Sequence, residues 1–411
     1  MIFGNRYNEY KSFELETNYL EGEANMGKYA IIGAEIITPD MKIEDGIVII
    51  SDEKIKALGR KEHIHIDKSI KRIDLSGMTL LPGFIDIHIH GALGVRANQG
   101  VEAIGKINEY LPSCGTTSWL PTIAEIDSMK YVVKSIERGP KGADILGIHM
   151  EGPYLAPKNI PGTPYEKAHL PDLREYEKML KIGKGHFKLM GLAPELDGAM
   201  ELIKEMHKTG VVAAIAHSKG DYNMVMEAVD AGVRHITHMY NVMTGFHHRR
   251  PGIVGAALTC DALTCELIGD GFHVSPAAMD MLVRCKGIEK VALITDNTDY
   301  AGCPDGDYGN VVKSGGIVRR KGFTEDVDGT LSGSVWPFDH NFRTVKESTR
   351  LDLRDMATMA SAVPAKIIGV YDTKGSLEPN KDADITVLDA DLNVKMTIVK
   401  GEVVYESQDI E

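Results

Sequence analysis

The chain is 411 residues long, 43% hydrophobic and 26% charged, with a formal net charge of −13. That length buries a full core and exceeds one typical domain, and the acidic balance argues against nucleic acid or an anionic membrane as a partner. An anionic substrate is admitted only through a local cationic pocket.

Five scattered cysteines (Cys114, Cys260, Cys265, Cys285, Cys303) contain no C-x-x-C pair, which points to reduced thiols and a cytoplasmic setting. No apolar run reaches membrane-spanning length. The first residues, MIFGNRYNEYKSFELE, are polar and acidic and make no signal peptide. Residues 1–25 are expected to form a flexible extension, with order beginning at Met26, itself a candidate start codon.

From Lys28 to about Met78, short Val- and Ile-rich runs alternate with polar residues and are punctuated by Gly, Pro and Asp, the pattern of strands and turns. Ala383–Glu406 has the same character. The two ends, 26–78 plus 372–411, are expected to build one small β-sandwich domain.

The middle, 79–371, changes period. Strand-like runs recur at FIDIHIH (84–90), TTSWLPT (116–122), ILGIHME (145–151), FKLMGLA (187–193), VVAAIAH (211–217), VRHITHM (233–239), CELIGDG (265–271) and KVALITD (290–296). Amphipathic segments such as VEAIGKINEYL, SMKYVVKSIERG, AMELIKEMHKTG and AAMDMLVRCKG lie between them, several ending in Gly. Eight strands alternating with helices predict an α/β fold, a closed (β/α)8 TIM barrel. A doubly wound sheet is the alternative, but no Gly-rich phosphate fingerprint follows the first strand.

In such a barrel, chemistry sits at the C-terminal ends of the strands. Strict alternation along LLPGFIDIHIHG puts Phe84, Asp86, His88 and His90 on one face, with Ile85, Ile87 and Ile89 on the other. His88 and His90 end strand 1, Glu151 ends strand 3, His217 ends strand 5, His238 lies on strand 6 and Asp296 ends strand 8. Each alone is explained by a surface carboxylate or a satisfied histidine. Together they point to a metal site. His149 and His235 lie deeper and are expected to be structural. His63, His65, His186 and His207 are expected on the surface, and His169 and His340 have no place in this scheme.

From about Met26 onward the sequence resembles the N-acetylglucosamine-6-phosphate deacetylases of the amidohydrolase superfamily. The resemblance rests on PGFIDIHIHG (82–91), CGTTSWLPT (114–122), LGIHMEGPYLAPK (146–158), LAPE (192–195), AHS (216–218), THMYNVM (237–243), HHRRPGIVGAAL (247–258), GDGFHV (269–274), LITD (293–296), GTLSGS (329–334), PAKIIG (364–369) and KDADITVLD (381–389).

It implies that Glu151, His217 and His238 hold the principal divalent metal. His88 and His90 would help hold a second, giving one or two ions, Zn2+ or Fe2+, per subunit. Asp296 matches the acid–base residue. Asn241, the Val242 backbone, Arg249, His273 and the Leu331–Ser332–Gly333 loop match the groups that bind the sugar and its 6-phosphate, partly across a homodimer interface. Arg249 and Arg250, with His247 and His248, form the densest cationic cluster in the chain, and arginine's fork suits phosphate.

Two departures stand out. The loop after Glu151 reads Pro161-Gly162-Thr163-Pro164 where relatives often place a carbonyl-contacting His or Gln, and Asn297 replaces a usual alanine. Either suits a different amino-sugar epimer.

The expected activity is metal-dependent removal of acetate from N-acetylglucosamine 6-phosphate. The rivals are the same chemistry on N-acetylgalactosamine 6-phosphate, an amidohydrolase for another N-acyl or cyclic amide, and a non-catalytic assembly protein that would have lost metal ligands.

Overall fold

A computed structural model describes residues 28–139, 141–157, 168–309, 311–320 and 331–408. The expected N-terminal extension and the Pro161–Pro164 loop lie outside them.

Both ends of the chain build one sheet, as the two similar β-rich stretches predict. Tyr29–Ile37, Lys42–Ser51 and Lys54–Arg60 form an antiparallel meander, and Ile385–Leu388, Val394–Val399 and Glu402–Glu406 form a second. Thr79–Pro82 joins them, parallel to the first strand and antiparallel to Ile385–Leu388. The small domain is thus one continuous sheet curled over a shared cluster that includes Ile31, Ile50, Leu80, Ile385 and Ile398. The chain passes from Thr79–Pro82 through Gly83 directly into the barrel.

All eight barrel strands are present: β1 (Phe84–Ile89), β2 (Thr116–Ile123), β3 (Ile148–Glu151), β4 (Phe187–Leu192), β5 (Val212–Ile215), β6 (His235–Ile236), β7 (Thr264–Ile268) and β8 (Val291–Ile294). Each is parallel to its neighbours. The ends of β8 and β1 close the ring: Asp296 N–H donates to His88 O at 2.9 Å and His90 N–H to Asn297 O at 2.8 Å. The third predicted strand is broken, with Asp144–Ile145 pairing β2 separately.

The four helices read from the sequence appear as α1 (Val101–Tyr110), α2 (Met129–Arg138), α4 (Ala199–Thr209) and α7 (Pro276–Lys286). Helices α3 (Leu173–Gly183), α5 (Tyr222–Ala231), α6 (Gly252–Thr259) and α8 (Phe338–Ser348) also flank the strands. Two of these carried a signal. Asp172 and Asp221 cap α3 and α5, accepting from Arg174 N–H at 2.7 Å and Met224 N–H at 2.9 Å, contacts worth about 1 kcal/mol each.

The strict alternation expected for β1 does not hold. Against β2, Asp86 pairs with Trp119 but Ile89 with Pro121, so β1 carries one extra residue. Ile85 and Ile87 pack inside the barrel with Leu120, Leu189, Ala214, Ile268, Ala292 and Ile294. Phe84 and Ile89 pack instead into the outer cluster with the helices. A bulge re-aims side chains locally, and here it turns His88 and His90 into the mouth although Ile87 also faces inward.

Candidate active site

Six side chains that the sequence placed at strand ends converge at the mouth. His217 Nε2 and His238 Nε2 lie 2.9 and 3.0 Å from Glu151 Oε1 and 3.1 Å from each other. His88 Nε2 and His90 Nε2 are 3.3 Å apart, each 3.4 Å from Asp296 Oδ1. Glu151 joins the two groups, its Oε2 3.2 Å from His90 Nε2.

β5, β6 and β8 end just before His217, His238 and Asp296, which take φ of 44°, 27° and 54°. Left-handed backbone is costly for such residues and clusters at functional sites. These turns swing the side chains from the strand line into the centre. The loop after Leu331 confines Asp296, because a Cβ on Gly333 would meet the Asp296 carbonyl at 2.5 Å.

This donor set fits a divalent metal. Ring nitrogens turned toward one another at 3.1–3.3 Å match the edges of a coordination shell with bonds of about 2.0–2.2 Å. The charge balance agrees. Burial lowers the basicity of His88, yet Asp296 and Glu266 outweigh it and pull the imidazole up to about 10. His90 is pulled up to about 9 by Asp296 and Glu151 against the same burial. Burial raises the Glu151 and Asp296 carboxyls, and the neighbouring histidines more than reverse it, leaving both below the usual range. The pocket therefore favours positive charge.

The sequence reading did not assign Glu266, which is fully buried on β7. A single glutamate within the apolar run CELI was the available signal, because a core carboxylate is costly without partners. Asp86 is also buried. It accepts from Thr295 Oγ1 at 2.6 Å and His88 N–H at 3.1 Å, and burial pushes its carboxyl up to about 7.

His149 and His235 sit below the donors, as expected. His149 Nδ1 lies 2.9 Å from Ile87 O, and burial pushes its imidazole down to about 3. Of the histidines expected on the surface, His63, His65 and His207 are exposed and His186 is half-buried. His169 pairs with Glu175 at 2.8 Å, and His340 stacks on Trp336.

The groups matched to sugar and phosphate surround the mouth less tightly. Asn241 donates its amide to Met239 O at 3.2 Å, and Val242 O accepts from Ser218 N–H at 3.2 Å. His217 and Val242 both line a cavity of about 280 Å³. His273 Nδ1 lies 2.7 Å from Asp270 Oδ2, which also accepts from Ser334 Oγ at 2.8 Å. Asp270, another residue the sequence reading left unassigned, thereby ties His273 to the loop that confines Asp296. Burial lowers His273, but Asp270 reverses this and leaves its imidazole raised. Arg249 stands apart on an exposed loop, its Nη1 2.9 Å from His248 Nε2.

Comparison with known proteins agrees with this geometry. The amidohydrolase family model matches residues 79–404. An N-acetylglucosamine-6-phosphate deacetylase of Bacillus subtilis is 34% identical over 91% of this chain and 96% of its own length. An N-acetylgalactosamine-6-phosphate deacetylase of Escherichia coli O157:H7 is 33% identical over 89% and 97%. Among solved structures, a mutant N-acetyl-D-glucosamine-6-phosphate deacetylase from Mycobacterium smegmatis, in complex with N-acetyl-D-glucosamine-6-phosphate, superposes with a TM-score of 0.82. It is 25% identical and covers 92% of this chain and 99% of its own. A barrel that gathers histidines and carboxylates at these strand ends, shared along nearly the whole chain with such relatives, belongs to the amidohydrolase family.

Proposed function

We propose that the chain hydrolyses the acetamide of N-acetylglucosamine 6-phosphate, giving glucosamine 6-phosphate and acetate. The observation that carries this reading is the convergence of Glu151, His217 and His238 within 3.1 Å of one another beside the buried Asp296. Supporting it are relatives that are 34% identical and named for this activity.

In this reading Glu151, His217 and His238 hold the principal divalent ion. His88 and His90 help hold a second, with Zn2+ or Fe2+ as the occupant. Such an ion supplies a nucleophile from water near neutral pH and polarises the amide carbonyl. Asp296, ionised beside His88 and His90, accepts the proton of the attacking water at its carboxylate. It delivers that proton to the sugar nitrogen as the C–N bond breaks. The acetyl group leaves as acetic acid carrying the oxygen and the second proton of water, loses that proton to solvent as acetate, and the amine leaves neutral.

Asn241, the Val242 backbone, His273, Leu331, Ser332 and Gly333 hold the sugar. Arg249 binds the 6-phosphate, reaching the mouth of a partner copy in a homodimer. The exposed position of Arg249 supports service to a neighbouring subunit. No helix among the described residues is long and apolar enough to cross a membrane, and the scattered cysteines favour the cytoplasm.

The test is acetate release from paired 6-phosphate sugars. Turnover of the gluco epimer at least ten-fold faster than the galacto epimer supports the proposal. The reverse preference moves the assignment to N-acetylgalactosamine 6-phosphate, and failure on both phosphates with activity on an unphosphorylated amide overturns it.

A further inference from the structure

β7 contributes Cys265, Leu267 and Ile268 to apolar packing, yet it carries one fully buried carboxylate, Glu266. Such a group is costly in the interior unless donors meet its oxygens. Those donors belong to the site. Glu266 Oε2 lies 2.9 Å from His88 Nδ1 and also accepts the backbone N–H of His238 at 2.9 Å. Oε1 lies 3.2 Å from His235 Nε2, whose other nitrogen is 2.7 Å from Thr264 Oγ1.

Two consequences follow. A carboxylate at Nδ1 favours a proton there in the neutral and the charged imidazole alike, which leaves Nε2 as the nitrogen that faces His90 and Asp296 and gives up its proton to an ion. The same oxygen anchors the main chain of His238 at φ 27°, a conformation that persists only where its surroundings impose it. One atom therefore touches a side chain of the His88–His90–Asp296 group and the backbone of the Glu151–His217–His238 group.

We infer that Glu266 is a positioning residue that couples the two donor groups, setting the tautomer of His88 and the backbone of His238 together. This rests on the ligand reading given under Proposed function. Partners behind a metal ligand commonly change affinity by about 10–100-fold when removed.

The experiment strips the full-length protein of metal and titrates it with Co2+ against a chelator, following bound metal and the Co2+ absorption spectrum. Variants are Glu266→Gln, Glu266→Leu, His88→Asn and the Glu266→Gln/His88→Asn double. Glu266→Leu should weaken Co2+ binding by roughly 100-fold and Glu266→Gln by roughly 10-fold. The amide keeps the shape and one accepting oxygen, so Glu266→Gln should leave the melting temperature of the metal-free form near wild type. It remains informative if the leucine variant fails to fold. Because Glu266 and His88 share a bond, the double variant should lose less than the product of the single losses.

Wild-type Co2+ affinity in Glu266→Gln, or losses that multiply in full, would overturn the coupling. His217→Ala, titrated alongside, separates the two readings. If it keeps its ion, the ligand assignment fails. If it loses the ion while Glu266→Gln binds as tightly as wild type, the positioning role alone fails.

Discussion

Among the described residues, two clusters of charge are built on opposite plans. At the seam between barrel and sheet, Lys374 Nζ is 3.1 Å from Asp144, 2.8 Å from Asp382 and 2.6 Å from Asp384. Lys54 adds a contact to Asp382 at 2.5 Å and Lys400 one to Asp144 at 2.9 Å. Lysines meet aspartates here in equal number. At the barrel mouth, Glu151, Asp296 and Glu266 are matched by histidines in place of lysine or arginine. The seam carries its own fixed cations, whereas the mouth leaves positive charge to groups that can exchange a proton for an ion. A buried ionic cluster therefore reads as a fastener when it balances internally, and as a site when its donor atoms converge on one another.

The sharpest way to break this contrast is to remove a converging donor. His217→Ala should abolish both bound metal and deacetylase activity, by elemental analysis and acetate release, with the fold kept by circular dichroism. A full metal complement in that variant would remove the mouth from its class.

Asp296→Asn comes next. It should keep metal and fold while kcat falls by about 10²–10⁴, the usual worth of a positioned acid–base group, with KM nearly unchanged. Normal turnover would exclude Asp296 from proton transfer.

The seam should answer in stability alone. Lys374→Ala leaves buried aspartates short of a cation and should lower the unfolding free energy by about 3–5 kcal/mol in denaturant titrations, with little change in kcat/KM. The pH dependence follows from the direction of each shift. Burial raises Asp144 and Asp382, but Lys374 outweighs it and leaves both depressed below 3.8. Their contribution is present above the unfolded value and is lost as pH falls through the folded one. Lys374 is raised above 10.5, despite burial, by Asp384 and Asp144, so its share is lost only as strongly alkaline pH is reached. Burial leaves Asp384 raised, which opposes the other two and shallows the acid limb. In Lys374→Ala the two aspartates lose the cation that depresses them, so the acid limb of the stability profile should flatten and the deficit against wild type should be largest near neutral pH. An unchanged acid slope would show that the seam is not the fastener its geometry describes.

The smallest expected effect tests the loop outside both clusters. Arg249→Ala should lower kcat/KM for the phosphorylated sugar by roughly ten-fold to a few hundred-fold, the range of a lost charge-assisted hydrogen bond. The unphosphorylated sugar should be barely affected. If the arginine serves the neighbouring subunit, mixing Arg249→Ala with Asp296→Asn chains should restore about a quarter of the sites under random pairing. Equal losses on both sugars would end the phosphate role, and shown hetero-dimers without rescue would keep the clamp within one chain.

Much of the architecture was legible in the residues themselves. Runs such as FKLMGL and VALI fall on strands because periodic apolar pattern and flanking turn residues act on neighbours along the chain. Strand-end histidines and carboxylates were likewise visible, since a parallel barrel sends every strand's C-terminal end to one mouth. Helix α6, eight residues with no side-chain cap, was not, nor was the extra residue in β1, which is defined only by its pairing with β2.

What tertiary structure alone decided is which charge faces which. Glu266 meets His88 across 178 positions and Lys374 meets Asp144 across the domain seam, so neither pairing leaves a local pattern. Residue type and period determined the strands and the donors they carry. Barrel closure and strand register decided the partners, because the cost of a buried charge depends on the atoms brought to it from elsewhere in the chain.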